Sequence, residues 1–129
     1  MKKKLRTKLW NKYDCRCAYC GKVINYQDMQ IDHKFPKAKS HYLQSDAMML
    51  GTGSEGLKDI NDIENLMPSC RRCNYHKGTF TVEEYREQLI LKIDRVKDSN
   101  VLLLEQYGII TFNRKPVVFY FEKLRGQNE

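Results

Sequence analysis

Apolar positions recur with distinct periods along the chain. Leu5, Leu9 and Tyr13 are four residues apart, with Trp10 beside them, and predict a short helix leading to the first cysteines. Lys22–Ile24 and Met29–His33 read as short strands around a turn at Asn25–Asp28, and Pro36 ends the second strand. Residues 40–62 have no period and carry Gly51, Gly53, Ser54 and Gly56 in close order, the composition of a loop. Asn65-Leu66-Met67-Pro68-Ser69 leads into the second group of cysteines, and a short helix is expected from Ser69 to about Lys77. Thr81 with Glu84 forms a capping box. Val82, Tyr85, Leu89, Ile93 and Val96 then follow at spacings of 3, 4, 4 and 3, one face of a helix ending near Asp98. Val101–Tyr107 reads as helix stopped by Gly108. Ile109–Phe112 and Val117–Phe121, on either side of Asn113–Pro116, predict a terminal hairpin, with Phe119, Tyr120 and Phe121 as core candidates.

At 129 residues the chain has room for one domain, spanning 1–129. Hydrophobic residues make up 41%, enough for a modest core and too many for global disorder. No apolar run approaches the length of a membrane span. The basic start Lys2-Lys3-Lys4 lacks the apolar stretch a secretory signal would need.

Charge changes the picture. Lys and Arg number 23 against 16 Asp and Glu, for a net charge of +7. Residues 1–12 carry six positive side chains and no negative one. Residues 40–65 run the other way, with five acids against one Lys, whereas residues 81–129 are balanced. An uneven basic excess on a small domain favours a polyanionic partner, with residues 1–39 and 66–80 as the phosphate side.

Five cysteines, Cys15, Cys17, Cys20, Cys70 and Cys73, argue against a secreted disulfide framework and for a reducing, cytoplasmic setting. Four of them form two C-x-x-C pairs, Cys17/Cys20 and Cys70/Cys73, which together can give four thiolates to a structural Zn²⁺. Gly21 after Cys20 suits the tight turn of such a knuckle, and Cys15 is left as a spare thiol. The gap between knuckles is 49 residues, far more than the roughly 12 to 20 of a short finger or ribbon, so the metal would staple the ends of a long excursion.

Three places in or beside that excursion carry chemistry. Ile31-Asp32-His33-x-x-Pro36 offers a carboxylate for a divalent cation and an imidazole to take a proton, although an Asp-His pair alone is ordinarily a surface pair. Asn65, ahead of an apolar residue, is by itself a turn or cap residue. In Cys70-Arg71-Arg72-Cys73-Asn74-x-His76-Lys77-Gly78, Asn74 follows a zinc ligand and its amide oxygen suits a hard cation. Arg71, Arg72 and Lys77 are candidate phosphate contacts.

Taken in order, C-x-x-C, Asp-His-x-x-Pro, Asn-Leu and C-x-x-C-Asn-x-x-Lys resemble the zinc-bearing HNH endonucleases. The resemblance runs from about Tyr13 to Gly78, with residues 81–129 as an extension outside it. It implies an α+β fold: a ββα-metal core stapled by a four-cysteine zinc site, with flanking helices. It also implies roles. His33 would be the general base and Asp32 the acidic ligand of a catalytic Mg²⁺ or Mn²⁺. Asn74 would be the second ligand of that ion. Asn65 would steady the loop carrying the base, and Cys17, Cys20, Cys70 and Cys73 would hold the structural zinc. His76 lies about 200° around a helix from Asn74 and is left as a phosphate contact or surface residue. His41 is given no role.

The implied activity is metal-dependent hydrolysis of DNA, double-stranded by expectation, leaving 5′-phosphate and 3′-hydroxyl ends. Small free-standing members of the family are analogous to phage or mobile-element genes. One departure from a compact pattern is the acidic, Gly-rich stretch between His33 and Asn65, which could serve as a lid, a partner surface or an idle insertion. Residues 81–129 could complete the core, dock a partner or form a dimer contact. The alternatives to a nuclease are a zinc-stapled module that binds DNA without cutting it and a protein-interaction module. Neither requires Asp32, His33 and Asn74 together.

Overall fold

The computed structural model describes residues 2–39 and 59–127. The acidic insertion at 46–56 therefore lies outside the described residues. The order is helix α1 (Lys3–Lys12), strand β1 (Gln30–His33), strand β2 (Leu66–Ser69), then helices α2 (Arg71–Lys77), α3 (Val82–Arg95), α4 (Ser99–Gln106) and α5 (Tyr120–Gln127). No helix among the described residues is long and apolar enough to cross a membrane.

Helix α1 forms as its apolar spacing demands and buries Leu9 completely. Its polar side is tied down as well. The Arg6 guanidinium donates to the carbonyls of Tyr26 at 2.8 Å and Met29 at 2.6 Å, and Trp10 Nε1 donates to the Ile24 carbonyl at 2.9 Å. The chain leaves the helix through Asp14 and Cys15, both at φ 58°, a conformation that turns it back toward the first knuckle.

Strands β1 and β2 pair antiparallel, His33 opposite Leu66 and Gln30 opposite Ser69. This corrects the expected pairing of 22–24 with 29–33. Residues 22–24 contribute one bridge, between Val23 and Arg16, and the partner of β1 is the Leu66–Ser69 segment that leads into the second knuckle. The reason is burial. All four β2 residues are buried, whereas Val23 is 59% exposed and gains little from a sheet. Pro68 sits in β2, and its carbonyl accepts the Ala18 amide at 2.9 Å, joining the first knuckle to the sheet. Helix α2 follows β2 directly and packs on β1, completing a ββα unit in an α+β fold.

The capping box at the start of α3 is present in both halves. The Glu84 amide donates to Thr81 Oγ1 at 3.3 Å, and the Thr81 amide donates to Glu84 Oε1 at 2.9 Å. The core follows only part of the predicted face of this helix. Tyr85 is buried and Val82 and Leu89 pack against the core, but Val96 is 51% exposed.

The expected C-terminal hairpin is not formed. Among the described residues 109–119 there is no strand, and Tyr120 opens α5. The backbone bonds that a hairpin would have used go to the first knuckle. The amides of Tyr120 and Phe121 donate to the carbonyls of Tyr19 at 3.0 Å and Ala18 at 2.8 Å. Phe119 and Phe121 are buried, as expected, but against the knuckle and α3. Phe119 stacks on Tyr85 with ring centroids 5.6 Å apart and meets Tyr19 edge-on at 5.1 Å. Replacing Phe119 by Ala should lower unfolding free energy by about 3–5 kcal/mol in urea titrations, because the cavity opens at the centre of this aromatic cluster. A change below about 1 kcal/mol would show that the cluster is not a core.

Candidate active site and metal centre

Cys17, Cys20, Cys70 and Cys73 converge. Their sulfurs all lie within 4.8 Å of one another, and Cys20 Sγ is 3.9 Å from Cys70 Sγ. A tetrahedron with Zn–S bonds of about 2.3 Å needs sulfurs about 3.8 Å apart, so the arrangement fits a zinc ion with little adjustment. Amides turn toward the sulfurs, as the Cys73 amide does toward Cys70 Sγ at 3.4 Å. Gly21, at φ 79°, closes the first knuckle by donating to the Cys17 carbonyl at 3.0 Å. The Cys17 thiol is pushed down, chiefly by the hydrogen bond from the Cys73 thiol and further by the amides of Cys70, Cys20 and Tyr19, against the opposing effect of burial. That bond and burial push the Cys73 thiol up. Cys15 is outside the group and points to Asn11 Oδ1 at 3.9 Å.

Both knuckles lead to Asp32. It sits on β1, 4% exposed, and turns inward toward α2, while His33 follows on the opposite side of the strand. The Tyr19 hydroxyl, from the first knuckle, donates to Asp32 Oδ2. The Lys77 ammonium, from the end of α2, donates to Asp32 Oδ1 at 3.0 Å and to the His33 carbonyl at 2.8 Å. Burial pushes the Asp32 carboxyl up, opposed by the Lys77 charge beside it. Burial likewise pushes the Lys77 amine down, opposed by Asp32.

This corrects the expectation for Lys77. It is not a phosphate contact: its side chain is 0% exposed, committed to Asp32 and the end of β1. The spacing carried a signal for this, since Lys77 lies three residues past Asn74 and so shares its face of the helix. Tyr19 and Asn61 were also missed. Nothing in the sequence marks the residue between two knuckle cysteines as a partner for Asp32.

The His33 imidazole is half-buried, with Nε2 2.9 Å from Asn61 Oδ1. Asn65 is buried and works as a substitute ladder where β1 ends. Its Oδ1 accepts the Phe35 amide at 2.8 Å, and its Nδ2 donates to the carbonyls of Phe35 at 3.0 Å and Ile60 at 2.8 Å. The Lys34 amide adds a bond to the Asn65 carbonyl at 2.8 Å. Asn74 is half-buried on α2, one turn before Lys77, whose ammonium is the group of this helix that reaches Asp32. Arg71 and Arg72 are exposed in the first turn of α2, and His76 is a surface residue beside Tyr75. One carboxylate and one amide oxygen are the donor chemistry of a hard divalent ion that keeps several waters, but both Asp32 oxygens are already taken, by the Tyr19 hydroxyl and the Lys77 ammonium, so an ion there would have to displace the ammonium.

A cavity of about 890 Å³ opens beside the sulfur cluster. Arg16, Lys22, Arg72, Lys92 and Lys123 are among its lining residues, and none of the lining residues is acidic.

Relatives of this chain are found among nucleases. A CRISPR-associated endonuclease Cas9 of Corynebacterium diphtheriae is 35% identical over 78 residues, covering 57% of this chain. An SPbeta prophage-derived candidate HNH endonuclease, YoqL, of Bacillus subtilis is 36% identical over 73 residues, again 57% of this chain. The chain spans only 6% of the first relative's length and 27% of the second's. Among solved structures, the Type II-C Cas9 enzyme from Actinomyces naeslundii aligns with 81% of this chain and 10% of its own, with a TM-score of 0.47 and 23% identity. No protein-family model matches.

Two outcomes follow from the geometry. Cys70→Ser should reduce bound zinc from one ion per chain to near none, read by elemental analysis of the purified protein, and should lower the melting temperature. Lys77→Met should cost about 3–5 kcal/mol in urea unfolding, because Asp32 is left buried without its counter-charge. A neutral result would mean that the pair is not buried in solution.

Proposed function

We propose that this chain is an HNH endonuclease that hydrolyses phosphodiester bonds of DNA with the help of a divalent metal ion. The observation that carries this reading is the convergence at the end of β1. Asp32 is joined to α2 through Lys77, one turn past Asn74, and the adjacent His33 turns the other way on a strand end fixed by Asn65.

Asp32 and Asn74 would hold Mg²⁺ or Mn²⁺ once the Lys77 ammonium moves off Asp32 Oδ1. That ion would supply charge stabilisation at the phosphorus and on the departing oxygen. The chain's own groups do the rest. Asn61 Oδ1, 2.9 Å from His33 Nε2, accepts that nitrogen's proton as a hydrogen bond. Nδ1 is then the nitrogen with a lone pair, able to take a proton from an attacking water. Asn65 keeps Phe35, two residues past His33, from shifting as this happens, through two side-chain bonds to it, and its third goes to the Ile60 carbonyl. Zinc on Cys17, Cys20, Cys70 and Cys73 has four protein ligands and no open position, so its role is structural.

Binding of the polyanion is supported by charge placement. Arg71 and Arg72 are exposed at the start of α2, and Arg72 also lines the cavity beside the sulfur cluster together with Arg16, Lys22, Lys92 and Lys123. Duplex DNA is the expected substrate, and a prophage setting is supported by the name of the Bacillus subtilis relative.

The test is cleavage of supercoiled, linear, branched and single-stranded DNA with Mg²⁺. His33→Ala should lower the rate about 10²–10⁴-fold with zinc content unchanged. Brief EDTA treatment should stop cleavage before the protein unfolds, and Mg²⁺ should restore it. Full activity of His33→Ala would remove the proposed base. DNA binding without cleavage by the wild-type protein would instead favour the non-catalytic module.

A further inference from the structure

The cavity beside the sulfur cluster has a volume of about 890 Å³, within the range of sites for small organic molecules, about 300–1,000 Å³. Cys20, Cys70 and Cys73 form one wall of it. A zinc ion is completed by its four sulfurs and does not account for a space of this size. Two kinds of surface meet there. Lys22, Arg72, Lys92 and Lys123 line it, and among the described residues none of the four is in an ion pair. Arg16, the fifth cation, is already engaged: Nη1 donates to the Gly21 carbonyl at 2.9 Å and Nε lies 3.9 Å from Asp14 Oδ2. Zinc on four thiolates carries a net charge of about −2, so the four cations exceed what the cluster needs. The second surface is apolar. Leu89, Val117 and Val118 contribute to it, and Val118 is 51% exposed. The half-buried Tyr120 ring also lines the cavity and rests on Gly21, where a Cβ would come within 3.4 Å of it.

We propose that this cavity receives unpaired nucleotides of the DNA, with phosphates on Lys22, Arg72, Lys92 and Lys123 and a base against Tyr120. The proposal rests on DNA being the partner and not on how its bond is cut. Cations alone would suit any duplex, whose phosphates face outward. The apolar wall would then meet nothing, because paired bases keep their faces inside the stack. An unpaired nucleotide presents its phosphate and its base face together, and aromatic rings beside a basic groove are how single strands are held without regard to sequence. Arg72 belongs to both places, next to Arg71 on α2 and in the cavity lining, so a strand held at α2 can continue into the cavity. A peptide with acidic and apolar side chains has the same signs. The net charge of +7 on the whole chain favours the strand, which carries a negative charge on every nucleotide.

Binding is measured by fluorescence anisotropy on the zinc-loaded full chain, without Mg²⁺, so that no strand is cut. The probes are one duplex, blunt or with a tail of about six unpaired thymidines at its 5′ or 3′ end, and a peptide of Glu and Leu. In the wild type a tail should lower the Kd about tenfold relative to the blunt duplex. In Tyr120→Leu, and in Lys92→Gln combined with Lys123→Gln, that advantage should fall to about twofold or less, with zinc content as in wild type. Should Tyr120→Leu lose zinc, the lysine variant decides. A tail carrying 5-iododeoxyuridine should attach on irradiation to Tyr120 or His76, both of which line the cavity, as mapped by mass spectrometry. No advantage of a tail in the wild type, or a full advantage in the lysine variant, would overturn the inference. Cleavage of the blunt duplex on adding Mg²⁺ would in that case leave the nuclease reading standing. A tail preference with no cleavage in Mg²⁺ would uphold the cavity and remove the nuclease. Peptide binding tighter than the tailed duplex, and lost in the same variants, would give the cavity to a protein partner and overturn the inference.

Discussion

Four sulfurs within 4.8 Å of one another join two stretches of chain that are 49 residues apart, and the rest of the molecule is arranged around that junction. The first stretch brings Ala18, which bonds to β2, and Tyr19, which reaches Asp32. The second runs straight into α2, whose last turn brings Lys77 to the same carboxylate. Asp32 is therefore gripped from two directions by segments that share one cluster. Thiolates in that number repel one another, and a bound zinc ion removes the repulsion that would otherwise oppose the fold. The nuclease chemistry proposed for His33 and Asp32 depends on this junction even though neither touches a sulfur ligand.

The interior pair of Asp32 and Lys77 shows how the site manages charge. Each alone would be costly at such depth, and each offsets the other's desolvation. Tyr19 and the His33 carbonyl satisfy the remaining groups, so the site is closed by hydrogen bonds as well as by charge. No buried side-chain polar atom among the described residues is left without a partner. The His33 imidazole stands outside this closed network, on the opposite face of β1, half-buried with Nε2 on Asn61 Oδ1.

Much of this was legible in the sequence wherever the interactions are local. The Thr81–Glu84 cap, the period of α1, the short helix after Cys70 and the stop at Gly108 are all set by residues within a turn or two of each other. The sulfur cluster was legible because thiolate pairs have a stereotyped spacing. The partner of β1 was not, because Leu66–Ser69 competes with Lys22–Ile24 by burial, which spacing does not encode. The hairpin failed for a related reason. Val117–Phe121 has the composition of a strand, but its amides are taken by the carbonyls of Ala18 and Tyr19, about a hundred residues earlier. Helical period identifies a face without saying how far the core extends. Val82, Tyr85 and Leu89 are covered, while Ile90, Leu91 and Val96 further along the same segment are exposed. At the site, types and order were readable, and the depth of Lys77 and the reach of Tyr19 were not.

The contact between the C-terminal segment and the first knuckle has a temporal side. All four sulfur ligands precede Phe119 in the chain, and a Cβ at Gly21 would come within 3.4 Å of the Tyr120 ring. On a ribosome, the thiolates can meet their ion while the aromatic cover is still inside the exit tunnel. Metal capture can then come first and the capping of the knuckle second, so that the cover closes over a cluster already filled.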